Sequence, residues 1–133
     1  YFQGTIRGWI FVEDRIDAIL RFVDRGKVGE TYCIGGNCEK TNNELINMVC
    51  KLLNDIYPRD SSYSDLIKYV QDRPGHDFRY SINIKSIKKE LEWEPKTNMV
   101  DGLKKTINWY VKNIDWCNNI LKSSGYRGQR IGI

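Results

Sequence analysis

A chain of 133 residues with 41% hydrophobic and 29% charged residues and only 3 prolines holds enough apolar material for one packed domain, which excludes a disordered chain. Its 21 basic residues exceed its 17 acids by four, too small and too dispersed an excess to demand a nucleic-acid partner. No run nears the roughly 18 consecutive apolar residues that cross a bilayer, and no leader opens the chain, so no membrane anchor is expected.

Tyr1-Phe2-Gln3-Gly4 looks like the remnant of a protease-cleavable tag, so residues 1–4 are set aside and the domain is read over 5–133. Ile6 to Val12 is short, aromatic and β-branched and predicts an extended strand. Val12, Ile16, Ile19, Leu20 and Val23 then recur at helical spacing, with Glu13 and Asp14 in the first turn, predicting a helix over 13–25 closed by Gly26. Glu30 to Ile34 predicts a second strand, ended by Gly35-Gly36. Thr41 and Glu44 form a capping box for a helix whose buried stripe is Leu45, Val49, Leu52 and Ile56, and Pro58 stops it. Residues 59–66 are polar and predict a surface loop.

Lys68 to Gln71 predicts a short strand running into Asp72-Arg73-Pro74-Gly75-His76-Asp77, whose Pro-Gly pair forces a turn. A short helix follows Asn83, with Ile84, Ile87 and Leu91 on one face and Pro95 beyond it. Asn98 caps a longer helix with Asp101 in its first turn and Val100, Leu103, Ile107 and Tyr110 facing inward. Trp116 to Leu121 adds a further helical turn. The order is that of a small α/β unit, mostly helical with a few short strands. About three short strands barely cover the apolar helix faces, so the unit reads as part of something larger.

The four cysteines, Cys33, Cys38, Cys50 and Cys117, contain no C-x-x-C spacing, and His76 is the only histidine, so neither common zinc pattern can be written. Reduced thiols are the expected state. Arg73, His76, Asp77 and Arg79 crowd one turn, where a guanidinium fork fits phosphate oxygens in bidentate fashion. The alternative is an Arg-Asp pair that staples a surface loop. Arg7 beside Trp9 offers a second anion ligand, or an edge arginine stacked on indole. Gly35-Gly36 is a turn rather than a G-x-G-x-x-G loop, no tyrosine has a lysine four positions later, and no serine stands on a nucleophile elbow. As an autonomous catalyst the chain is therefore poorly equipped.

Taken in order, Arg7 to Asp14, Glu30 to Asn37, Asp72 to Asp77, Leu91 to Pro95 and Lys105 to Tyr110 closely resemble the C-terminal part of the dTDP-glucose 4,6-dehydratases, extended short-chain dehydrogenase/reductases. The resemblance runs from Thr5 to about Arg130. It implies a two-lobed cytoplasmic parent lyase of carbohydrate biosynthesis. An N-terminal Rossmann lobe, absent here, would hold NAD and the catalytic residues, and this smaller lobe would grip the nucleotide of a dTDP-sugar. The fragment alone is expected to be inactive, to hold no cofactor or metal, and to self-associate. By the same resemblance Arg7 and Arg73 would bind the diphosphate and His76 would lie beside the nucleotide. Cys33 occupies a position that is usually a ligand-bonding asparagine; a thiol weakens that contact or hands it to water. Gly8 replaces a usual aspartate and Arg15 a frequent histidine, while both arginines stay intact. Two other readings are the equivalent lobe of a related NDP-sugar epimerase or decarboxylase, and a stand-alone basic module. Against the module, the lysines are spread over several helices and no aromatic run offers base stacking.

Overall fold

The structure is a computed structural model that describes residues 4–70 and 75–125. Among these, three strands form one small sheet in the order β2-β1-β3, with β1 (Ile6–Trp9) in the centre. β2 (Cys38–Thr41) runs antiparallel to it, pairing Ile6 with Thr41 and Trp9 with Cys38. β3 (Arg79–Tyr80) runs parallel on the other side, pairing Ile6 with Arg79 and Arg7 with Tyr80. Around the sheet lie α1 (Val12–Arg25), α2 (Asn42–Ile56), α3 (Lys85–Leu91), α4 (Met99–Lys112) and α5 (Ile114–Ser124). No described helix is long and apolar enough to cross a membrane.

Two expected strands are not there. Glu30 to Ile34 makes no ladder, and the strand of that region begins at Cys38. The described ladders join β1 only to β2 and β3, and the 30–34 segment enters neither. Tyr32 and Ile34 instead pack on the core. Lys68 to Val70 is likewise exposed and irregular, while Gln71 lies outside the described residues. The described strand of this region is instead Arg79–Tyr80.

The route from the 30–34 segment into β2 requires glycine at one point. A Cβ on Gly36 would stand 1.8 Å from the Trp9 carbonyl oxygen, so the two backbones cross where no side chain fits. Asn37, at φ 48°, completes the reversal. α2 then starts as its sequence dictates: the Thr41 hydroxyl accepts from the Glu44 amide at 3.1 Å, and the Glu44 carboxylate accepts from the Thr41 amide at 2.8 Å. Buried Thr5 ties this corner to β1, its hydroxyl accepting from the Asn42 side chain at 2.6 Å. A 3-10 turn at Tyr63–Leu66 lies inside the expected 59–66 loop.

The core joins Ala18 of α1 to Ile84, Ile87, Leu91 and Trp93, as expected for the face of α3. α1 itself is turned the other way from its apolar stripe. Asp14 and Ala18 are buried, whereas Val12, Leu20 and Val23 are 61%, 62% and 76% exposed. The Asp14 carboxylate is satisfied by the Thr97 amide at 2.9 Å. In α4 the Asn98 cap forms, its side-chain oxygen accepting from the Asp101 amide at 3.0 Å, and Ile107 is buried. Val100 and Tyr110, expected inward, are exposed. The helix packs through the narrow ridge of Gly102 and Ile107, where Gly102 lies against the Phe11 ring. Between Phe11, Trp9 and this helix lies a mainly apolar cleft of about 680 Å³. α5 is longer than the expected turn.

Candidate anion-binding site

Side chains alternate along a strand, so the pairing of the three strands assigns their residues to two faces. Arg7 is opposite Lys40 on one side and Tyr80 on the other, which puts these three on one face. There the Arg7 guanidinium is fixed from several directions. One terminal nitrogen donates to the Ile6 carbonyl at 2.8 Å. The other donates to His76 Nε2 at 2.6 Å and to the Asp77 carbonyl at 3.1 Å. The guanidinium carbon lies 4.6 Å from the centroid of the Tyr80 ring, in cation–π contact. The Tyr80 hydroxyl donates to the Asp77 carboxylate, which closes the group.

A guanidinium carries donors only, so this contact makes His76 Nε2 the acceptor and assigns the ring proton to Nδ1. The result is a half-buried cation whose plane is set by an aromatic ring and whose edge faces the His76 ring. Such a group can take a phosphate oxygen with little ordering cost, because its rotamer is already selected.

Of the expected site residues, Arg7 and His76, 69 positions apart, are brought into contact. Arg73 lies outside the described residues. Cys33 is an exposed free thiol on the irregular 31–36 segment. Arg7 stacks on Tyr80 and not on Trp9, whose indole N–H donates to the Lys40 carbonyl at 3.3 Å. Arg79 is paired on the opposite face with Glu39 of β2 and not with an aspartate of its own turn. The Arg79 and Ser81 hydrogen bonds hold the Glu39 carboxyl below the usual glutamate range. Sequence reasoning missed Tyr80 and Glu39, since neither role is visible until β3 is placed. No group of described His, Cys, Asp and Glu side chains could hold a metal ion.

Known proteins carry the same fold. The dTDP-glucose 4,6-dehydratase of Escherichia coli is 45% identical over 122 residues, covering 92% of this chain and 34% of its own length. The crystal structure of the Bacillus anthracis dTDP-glucose 4,6-dehydratase, in complex with NAD, superposes with a TM-score of 0.75 at 43% identity over 87% of this chain and 35% of its own. The Streptomyces venezuelae dTDP-glucose 4,6-dehydratase, also with NAD bound, gives 0.77 at 33% identity, covering 87% of this chain and 34% of its own. The fold is therefore that of nucleotide-sugar dehydratases of the short-chain dehydrogenase/reductase class, as the resemblance implied. Residues 3–106 match the family described as GDP-mannose 4,6 dehydratase, and the chain belongs to that family. It spans about a third of the length of the curated relatives it matches.

Proposed function

We propose that residues 5–133 are the C-terminal, substrate-binding domain of an NAD-dependent dTDP-glucose 4,6-dehydratase. The observation that carries this is the Arg7 guanidinium, held by His76, the Asp77 carbonyl and the Tyr80 ring on one face of the sheet. Arg7 and Arg73 take oxygens of the substrate diphosphate, His76 lies beside the nucleotide, and Cys33 stands near the ligand as a weak partner. In the parent reaction dTDP-glucose loses water to give dTDP-4-keto-6-deoxyglucose. NAD would supply the hydride chemistry of the parent enzyme, held by residues outside this chain.

The residues present do not fit NAD. Gly36 is pressed against the Trp9 carbonyl, and α2 starts only at Asn42 with its first turn satisfied by the Thr41–Glu44 box. A dinucleotide cradle would need a glycine loop opening directly onto a helix N-terminus. No step through NAD is therefore assigned to this chain, and the isolated domain is inactive. The outward stripe of α1 supplies an apolar face that the Rossmann lobe would cover in the parent, and through which the isolated domain self-associates. The parent is cytoplasmic, with neither nucleic acid nor membrane among its partners.

The test is a dTDP titration followed by amide shifts. Saturable shifts at Arg7 and at 75–80, with a dissociation constant of about 1 mM, are expected, which corresponds to ~4 kcal/mol. Arg73→Ala should remove most of the binding, and Arg73→Lys should restore little, because a point charge does not reproduce the fork. Equal shifts with plain phosphate, or stronger binding of UDP or GDP than of dTDP, would overturn the reading.

A further inference from the structure

The other face of the same sheet carries an arrangement that the binding role does not assign. Glu39 stands opposite Gly8 in the antiparallel ladder, and Arg79 stands opposite Ile6 in the parallel one. Ile6 and Gly8 are two residues apart, so Glu39 and Arg79 share a face with the central strand running between them. Strands two apart are separated by roughly 9.5 Å, and the Arg79 side chain crosses that gap. Its Nε donates to Glu39 Oε2 at 2.9 Å and its Nη2 to Oε1 at 2.9 Å. The Ser81 hydroxyl adds a third bond to Oε1 at 2.5 Å. The register places Gly8 between the two outer strands on this face, exposed and without a side chain. Within 4 Å a Cβ there would meet only the Tyr80 carbonyl, at an ordinary 3.6 Å, so alanine fits and leaves the Arg79–Glu39 bridge untouched, whereas a longer side chain would extend over this face toward it.

This matters because β3 is short. Its two residues are both exposed, and its ladder to β1 is extended only by the bond from the Ile6 amide to the Phe78 carbonyl at 2.8 Å. The same strand presents Tyr80 to Arg7, and His76 and Asp77 lie just before it. Wherever β3 sits, His76 and Tyr80 follow.

We propose that Glu39, Arg79 and Ser81 form a positioning clamp that holds the 75–81 segment where His76 and Tyr80 meet Arg7, and that Gly8 is the residue that lets the clamp cross the sheet. Arg79 is on this account a positioning residue, its Nε and Nη2 engaged by Glu39 on the face opposite Arg7. The proposal deepens the nucleotide-binding reading and rests on it for its ligand but not for its geometry.

The experiment compares wild type with Glu39→Gln, Gly8→Ala, Gly8→Asp and the charge-exchanged pair Glu39→Arg with Arg79→Glu. Three quantities are read: the imidazole ¹⁵N shifts of His76, the dissociation constant for dTDP, and the melting temperature. Wild type and Gly8→Ala should show the acceptor signature at Nε2. Glu39→Gln and Gly8→Asp should lose it and bind dTDP roughly threefold to tenfold more weakly, with a melting temperature within a few degrees of wild type. The exchanged pair should recover both. An unchanged His76 signature and affinity in Glu39→Gln would overturn the clamp, as would loss of the signature in Gly8→Ala. If dTDP fails to bind the wild type while the His76 signature collapses in Glu39→Gln and returns in the exchanged pair, the clamp stands and the nucleotide reading falls.

Discussion

Replacing Gly36 by alanine places a methyl group 1.8 Å from the Trp9 carbonyl oxygen, 2.7 Å from its carbon and 2.9 Å from the Ile10 Cα. All three are backbone atoms, so no side chain can swing away. Ordinary contact begins near 3.4 Å, and the two segments must separate by about 1.5 Å. That displacement falls on the crossing that feeds β2, next to the Trp9–Cys38 pair at the end of the β1–β2 ladder. A forced shift of this kind costs about 3 kcal/mol. Gly35 is the internal control: a Cβ there meets Ile82 Cβ and Cγ2 at 3.1 and 3.2 Å and Ile84 Cγ2 at 3.4 Å, contacts relieved by a shift of a few tenths of an ångström. Gly35→Ala should therefore cost less than about 1 kcal/mol. Urea unfolding followed by tryptophan fluorescence compares the two, and a difference of about 2 kcal/mol is expected at unchanged m-value. Equal stability of the two variants would refute the close crossing.

Ile87, fully buried in the core with Trp93 and Leu91, should lose about 2–5 kcal/mol on replacement by alanine, measured by the same unfolding curve. Glu39, Glu44 and Glu90 are held below the usual glutamate range by the Arg79 hydrogen bond, the Thr41 amide and the Lys27 hydrogen bond respectively. The unfolded chain takes up these protons first as pH falls, so their contribution is complete above the ordinary glutamate pKa and disappears as pH drops through the lower folded values. Acid unfolding should show this loss, reduced in high salt because all three are exposed. Leu20→Glu and Val23→Glu on the outward side of α1 should leave the thermal midpoint nearly unchanged while lowering the mass measured by light scattering; an unchanged mass would remove α1 from the self-association surface.

What could be read from the sequence was local. The Thr41–Glu44 and Asn98–Asp101 caps link residues three apart, so their chemistry is complete within one turn. The starts of α2 and α4 followed from these signals, whereas α5 runs longer than the turn expected of it. Strand partners were not legible, because the β-branched and aromatic run at 30–34 says nothing about whether a neighbouring edge is vacant. Nor does the period of α1 state which side is covered: its apolar stripe marked a helix, yet Asp14 and Ala18 face the interior. At the site, Arg7 and His76 were singled out by residue type and then by motif resemblance, and the structure supplied their contact. Glu39 and Arg79, 40 positions apart, meet only because β1 lies between their strands.

The central claim is that the Arg7 face recognises a nucleoside diphosphate, and one comparison addresses it most directly: dTDP titrated into wild type and Arg7→Ala, followed at the amides of Arg7 and residues 75–80. The account predicts saturable shifts in the wild type that exceed those produced by inorganic phosphate and are strongly reduced in Arg7→Ala. Shifts of equal size in both proteins, or located only away from this face of the sheet, would contradict it.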